Sequence, residues 1–170
     1  MTLDDLNNAD QDTFVRALAA IFERSPWVPQ RAWARRPFAS IDELHRALVR
    51  EVAVAGPDAQ LALIRAHPDL GARVKMTQHS TAEQAGAGLD RLTPAEFDRL
   101  QQLNTLYRAR FDFPFLFAVK GRTTKDVLLA LEARVSHTTD EEFREALQQI
   151  YRIAEFRLRD TLEDASSGQR

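Results

Sequence analysis

A chain of 170 residues, 44% apolar and 28% charged, has the size and composition of one soluble domain with a core that needs no covalent staples. Its net charge of −2, with signs well mixed, leaves no electrostatic footprint for nucleic acid. The absence of cysteine excludes disulfides, thiol catalysis and thiolate metal sites.

The opening MTLDDLNNAD is acidic and polar, unlike a signal or transit peptide, and no apolar run approaches bilayer length. The expectation is a cytoplasmic protein without membrane or nucleic-acid partners. From Asp12 to Phe22, Phe14, Leu18, Ile21 and Phe22 share one helical face. Pro26 ends that helix, and Trp27 to Pro37 reads as a short, basic, aromatic segment between prolines. Ser40-x-x-Glu43 is a capping box before Ile41, Leu44, Leu48 and Val52 at helical spacing. Gly56-Pro57 stops that helix and starts the next, which carries Leu61, Leu63 and Ile64. It is expected to end at His67-Pro68, because a residue before proline is pushed out of the α region.

The stretch HPDLGARVKMTQHSTAEQAGAGL, His67 to Leu89, is polar, turn-rich and without long apolar periodicity. Periodic helices flank it, which is how a site sits on a scaffold. Beyond it, Thr93-Pro94-Ala95-Glu96 opens a helix bearing Phe97, Leu100, Leu103, Leu106, Tyr107 and Phe111. Phe111, Phe113, Phe115 and Phe117 alternate, so the chain there is extended, and Pro114 keeps it out of any central strand. Thr123 or Thr124 opens a helix through Val127, Leu128, Leu131 and Val135. Thr139-x-x-Glu142 reads as the capping box of the last helix, with Phe143, Leu147, Ile150, Ala154, Leu158 and Leu162. The expected fold is all-α, one compact multi-helix domain over 1–163 with about seven or eight helices and a frayed tail over 164–170.

Taken singly, the chemistry-bearing residues leave two readings open. His67 is the side chain best poised to move protons near neutral pH, yet a histidine at a helix C-terminus also complements the dipole. Ser80-Thr81-Ala82-Glu83-Gln84 is a capping box, while the small residues that follow leave room for a ligand whose amides Gln84 can read. Arg157 lies in register with Phe143, Leu147, Ile150 and Ala154 on the face expected to be buried. There it requires a structural carboxylate or a substrate as partner. His45 reads as solvated surface, and nothing distinguishes His79. No His-x-x-x-His or His-Glu-x-x-His spacing exists, so no metal site is expected.

Together the patterns resemble one family. His67-Pro68-Asp69-Leu70-Gly71, then Ser80-x-x-Glu83-Gln84 with Ala87-Gly88-Leu89, then Asn104-x-x-Tyr107 follow the order of the 2-oxo-4-hydroxy-4-carboxy-5-ureidoimidazoline (OHCU) decarboxylases. Phe111-Asp112-Phe113-Pro114-Phe115, Ala118-Val119-Lys120-Gly121 and the helix from Ile150 to Arg157-Leu158 continue the match over nearly the whole chain. The resemblance implies an all-helical homodimer that carries out the third step of urate breakdown, to (S)-allantoin, with no metal or organic cofactor. By motif match, His67 is the proton donor and Glu83 the second catalytic group. Pro68, Ser80, Glu83 and Gln84 surround the ring. Phe115, Leu116, Phe117, Ala118 and Val119 offer backbone groups and an apolar wall, and Arg157 takes the carboxylate or a ring carbonyl. One position departs from the family: Asp112 stands where such proteins usually carry glycine. Two rival readings are a non-catalytic helical interaction domain and a hydrolase or isomerase of a related cyclic ureide using the same His67 and Glu83.

Overall fold

The computed structural model describes residues 1–71, 73 and 92–167, with side chains to 162. Among the described residues every regular element is a helix and no strand occurs, as the 3.6-residue periodicity predicts. None of these helices is long and apolar enough to cross a membrane. The chain divides into two compact units, Met1–Ala66 with Ile150–Arg170, and His67–Gln149.

The first unit begins with α1 (Leu3–Asn8), which the polar lead does not announce. A capping box between Thr2 and Asp5 nucleates it, and Leu6 is fully buried. In α2 (Gln11–Ala17), Asp10 caps the N-terminus. The predicted helix to Phe22 stops early: Ala19 bonds Arg16 and Ile21 bonds Leu18 in tighter, three-residue turns. Leu18, Ile21 and Phe22 reach the core regardless, because successive tight turns bring them to the same side. The segment between the prolines forms α3 (Trp27–Ala32) followed by a 3₁₀ turn, Trp33–Arg35. Arg36 explains its basic character: its Nη1 donates to the carbonyls of Asn7 and Ala9, each at 2.7 Å, where α1 ends. In α4 (Ile41–Ala53) the Ser40 hydroxyl accepts from Glu43 N–H, and Glu43 reaches back to Ala39 N–H. The fifth helix, α5 (Pro57–Ala66), carries buried Leu63 and Ile64.

The second unit is built on α6 (Pro94–Phe111), whose Thr93–Glu96 capping box forms as expected. Asp112 ends it in the left-handed region, φ 58°, the conformation that glycine would adopt most easily. Residues 113–119 then run without regular structure, with Phe113, Phe115 and Leu116 buried. The ring of Tyr107 lies against Phe111, Phe113 and Phe115, at centroid distances of 4.6, 6.1 and 5.3 Å. Thr123 and Asp126 box the start of α7 (Thr124–Arg134), which packs on α6. The last helix, α8 (Thr139–Ser167), is capped one residue earlier than predicted: Thr138, not Thr139, accepts from the Glu141 N–H. Glu142 therefore does not cap. It turns inward and is fully buried.

Candidate active site

Helix α5 ends at Ala66, and His67 leaves it as Pro68 requires. Asp69 immediately starts another helical turn: its side chain accepts from Gly71 N–H at 2.9 Å, and its carbonyl from Arg73 N–H at 3.1 Å. His67 itself is only 6% exposed.

Three residues on one face of α6 fasten this turn. Asn104 Nδ2 donates to Asp69 Oδ1 at 3.1 Å, Gln101 Nε2 donates to the Gly71 carbonyl at 3.3 Å, and Arg108 Nη1 lies 3.9 Å from Asp69 Oδ2. The approach is close enough that a Cβ on Gly71 would meet Asn104 Nδ2 at 2.2 Å. The His-Pro-Asp-Leu-Gly and Asn-x-x-Tyr patterns are thus two sides of one contact. Asn104 grips the turn, and Tyr107, three residues on, faces the aromatic cluster.

The segment after α6 is fastened as firmly. Arg134 Nη1 donates to the Leu116 carbonyl at 2.5 Å, and the Ala118 N–H donates to Gln149 Oε1 at 2.9 Å. Arg134 Nε is bound by Glu142 at 2.9 and 3.3 Å, and its Nη2 lies 2.8 Å from Glu142 Oε1, out of line for a hydrogen bond. Tyr107 donates to Glu142 Oε1 at 2.6 Å, and His137 Nδ1 lies 3.0 Å from Oε2. Burial, and then the hydrogen bond to Glu142, push the Tyr107 phenol far above its ordinary range. Leu70 of the turn and Val119 of the segment meet at a cavity of about 180 Å³, whose lining also includes Arg73, Arg122, Thr123, Thr124 and Val127.

His67, Pro68 and Phe115–Val119 all belong to this second unit. Ser80, Glu83, Gln84 and His79 lie outside the described residues. Arg157 belongs to the first unit and is not in the core as its register implies: 32% of its side chain is exposed, because position 157 lies at the shoulder of the buried stripe of Ala154 and Leu158. Its guanidinium donates to the Ala20 carbonyl at 3.0 Å and to Glu23 Oε1 at 2.9 Å, taking up a carbonyl left by the early end of α2. A cavity of about 400 Å³ adjoins it, lined by Ala20, Ile21, Glu23, Asp160 and Thr161. His45 is half-buried rather than solvated, with Nε2 2.8 Å from the Tyr151 carbonyl. Among the described residues no three histidine or carboxylate side chains gather as a metal site. Sequence reasoning missed Arg134, Glu142 and Gln149. Their signal was polar side chains on faces otherwise occupied by Leu131, Ala146 and Ile150.

The family model described as OHCU decarboxylase matches residues 7–159. The 2-oxo-4-hydroxy-4-carboxy-5-ureidoimidazoline decarboxylase of Haloferax volcanii is 49% identical over 158 residues, covering 93% of this chain and 94% of the relative. That of Halalkalicoccus jeotgali is 47% identical over 158 residues, covering 93% and 90%. A crystal structure of (S)-allantoin synthase superposes with a TM-score of 0.79 at 33% identity. It covers 95% of this chain, which spans about half of that longer one, 54%.

Proposed function

The chain belongs to the OHCU decarboxylase family, and from that membership we propose that its own residues decarboxylate 2-oxo-4-hydroxy-4-carboxy-5-ureidoimidazoline to (S)-allantoin in urate degradation. The observation that carries the reading is the fastening of the His-Pro-Asp-Leu-Gly turn. Gln101 and Asn104 hold the backbone on which a buried His67 is mounted. Such rigidity is what proton delivery to one face of a carbon requires.

The substrate's carboxylate is attached to a carbon that also bears a hydroxyl and adjoins a C=N bond. As the C–C bond breaks, its electron pair enters that π system and CO₂ departs, so neither metal nor organic cofactor is needed as an electron sink. The hydroxyl then gives up its proton and its carbon becomes a ring carbonyl, while the neighbouring ureido-bearing carbon of the former C=N bond takes a proton. The face from which that proton arrives decides the enantiomer. His67 supplies that proton and Glu83 holds the hydroxyl, the latter a charge-assisted bond that strengthens as charge develops. Ser80 and Gln84 read the ring amides, Pro68 shapes the wall beside His67, and Phe115–Val119 supplies backbone partners. Glu23 and Ala20 orient Arg157, whose remaining N–H groups take the carboxylate or a ring carbonyl. The working form is a cytoplasmic homodimer.

The test follows urate by circular dichroism through the preceding enzymatic steps, with and without this protein. The signal of one allantoin enantiomer is expected only in its presence. His67→Asn is expected to lose about 10²–10⁴-fold in rate, the usual range for a positioned acid or base. A loss under about tenfold removes His67 from that role.

A further inference from the structure

Three polar side chains of the second unit that have no assigned part in the reaction are almost wholly buried: Glu142 at 0%, Gln149 at 4% and Arg134 at 6% exposed. Burial of such groups is costly without partners, so what they hold is informative. Arg134 and Gln149 hold the same short segment. One binds the Leu116 carbonyl, the other the Ala118 N–H two residues later. Arg134 also stacks on the Phe115 ring, 4.4 Å from its centroid. Each is itself oriented, Arg134 by Glu142, and Gln149 by Glu145, to which its Nε2 donates at 2.7 Å.

In an extended chain, the carbonyl of one residue and the N–H two residues on point to the same side, and the intervening residue's polar groups point to the other. The Phe115 and Phe117 rings, 6.2 Å apart and inclined by 17°, sit on one side as extended backbone places them. Anchoring Leu116 and Ala118 from one edge therefore turns the Phe117 N–H and C=O to the opposite edge. Among the described residues neither group has a hydrogen bond.

We propose that Arg134 and Gln149 are positioning residues, which by fastening Leu116 and Ala118 present the Phe117 amide as a fixed donor–acceptor pair for a ring amide of the substrate. The proposal rests on the assignment of Phe115–Val119 to substrate binding. Gln149 tests it best, since removing Arg134 would strand Glu142. Gln149→Met keeps the volume and loses the acceptor. It is expected to speed amide exchange at Ala118 and raise KM about tenfold, the scale of one hydrogen bond, with kcat near that of the parent. Gln149→Asn keeps the amide but shortens its reach, and is expected to raise KM likewise. Gln149→Glu with Glu145→Gln reverses the pair and keeps the acceptor, and is expected to restore KM. Unchanged exchange at Ala118 overturns the positioning role. Faster exchange with unchanged KM overturns the segment's assignment to substrate. A KM that the reversed pair does not restore shows damage to the fold instead, and overturns the proposal too.

Discussion

Replacing Gly71 by alanine sets a methyl group where the Asn104 carboxamide lies. The added carbon would stand 2.2 Å from Nδ2, 2.4 Å from Cγ and 3.0 Å from Oδ1, so the whole amide must move rather than its tip. Moving it breaks the bond to Asp69 Oδ1, the oxygen that also accepts from the Gly71 N–H. Overpacking of this kind costs about 1–3 kcal/mol. A hydrogen bond to a charged group adds about 1.5–3 kcal/mol, part of which relaxation recovers. A total near 3 kcal/mol is expected by urea unfolding, with an unchanged denaturant slope. Because the same turn carries His67, kcat/KM is expected to fall by up to about 10²-fold, as a displacement near 1 Å can cause. Asn104→Ala vacates the space the methyl needs. The double variant is therefore expected to be more stable than the two single losses predict, by about 1–2 kcal/mol. Additive losses, within about 0.5 kcal/mol, would refute the contact as the reason for glycine.

Glu142→Ala leaves Arg134 buried without its carboxylate and is expected to lose about 3–5 kcal/mol in urea unfolding; a loss below about 1 kcal/mol contradicts the network. Asp112→Gly is expected to stay within about 1 kcal/mol of the parent, whereas Asp112→Val, β-branched at φ 58°, loses about 1–2 kcal/mol or more; equal melting temperatures for the two would be inconsistent with the left-handed turn. The raised Tyr107 pKa means that the folded chain keeps a phenol proton which the unfolded chain releases above about pH 10. Stability from this source is complete below pH 10 and declines as pH rises beyond it, so Tyr107→Phe is expected to flatten the alkaline limb of the stability profile. Arg157→Lys breaks a half-exposed pair with Glu23 and is expected to cost under about 1 kcal/mol of stability while raising KM; normal kinetics with a large fall in melting temperature would assign Arg157 to the fold alone.

The helices legible in the sequence are those in which cap and stripe agree. Ser40, Thr93 and Thr123 each bind the amide three residues on, ahead of an apolar face buried at Leu44 and Leu48, at Leu100 and Leu103, and at Val127 and Leu131. Leu106, read on the same face as Leu100 and Leu103, is 53% exposed because it lies off the buried stripe of its helix. Where only the stripe was present, it misled. Leu18, Ile21 and Phe22 fit a continued helix, but tight turns bury them equally well, and no periodicity distinguishes the two. Where the stripe was short, it was missed. The helix Leu3–Asn8 has only Leu6 buried, and its signal was the Thr2–Asp5 pair.

The candidate site was legible as motifs but not as forces. That His67 precedes proline, that Gly71 follows two residues after Asp69, and that Asn104 and Tyr107 lie three apart are all visible in the letters. That Asn104 occupies the space above Gly71 is a fact of distance between segments some thirty positions apart. Glu142 shows the limit most sharply. Thr139-x-x-Glu142 matches a capping box as well as Thr93-x-x-Glu96 does, and local rules cannot separate them. The separation comes from elsewhere in the chain: Arg134 lies on the buried face of α7, Tyr107 on that of α6, and both need a carboxylate. A cation read three residues beyond Leu131, on a face of Val127 and Leu128, already demanded such a partner. The same reading applied to Arg157 overreaches, because position 157 is at the edge of its stripe, where a long side chain can lead its charge back toward water. For a charged residue in an apolar register, then, the useful question is how near the centre of the stripe it lies. Arg134 at the centre recruits Glu142 and binds the segment beside it, and Arg157 at the edge pairs with Glu23 and leaves 32% of its side chain exposed.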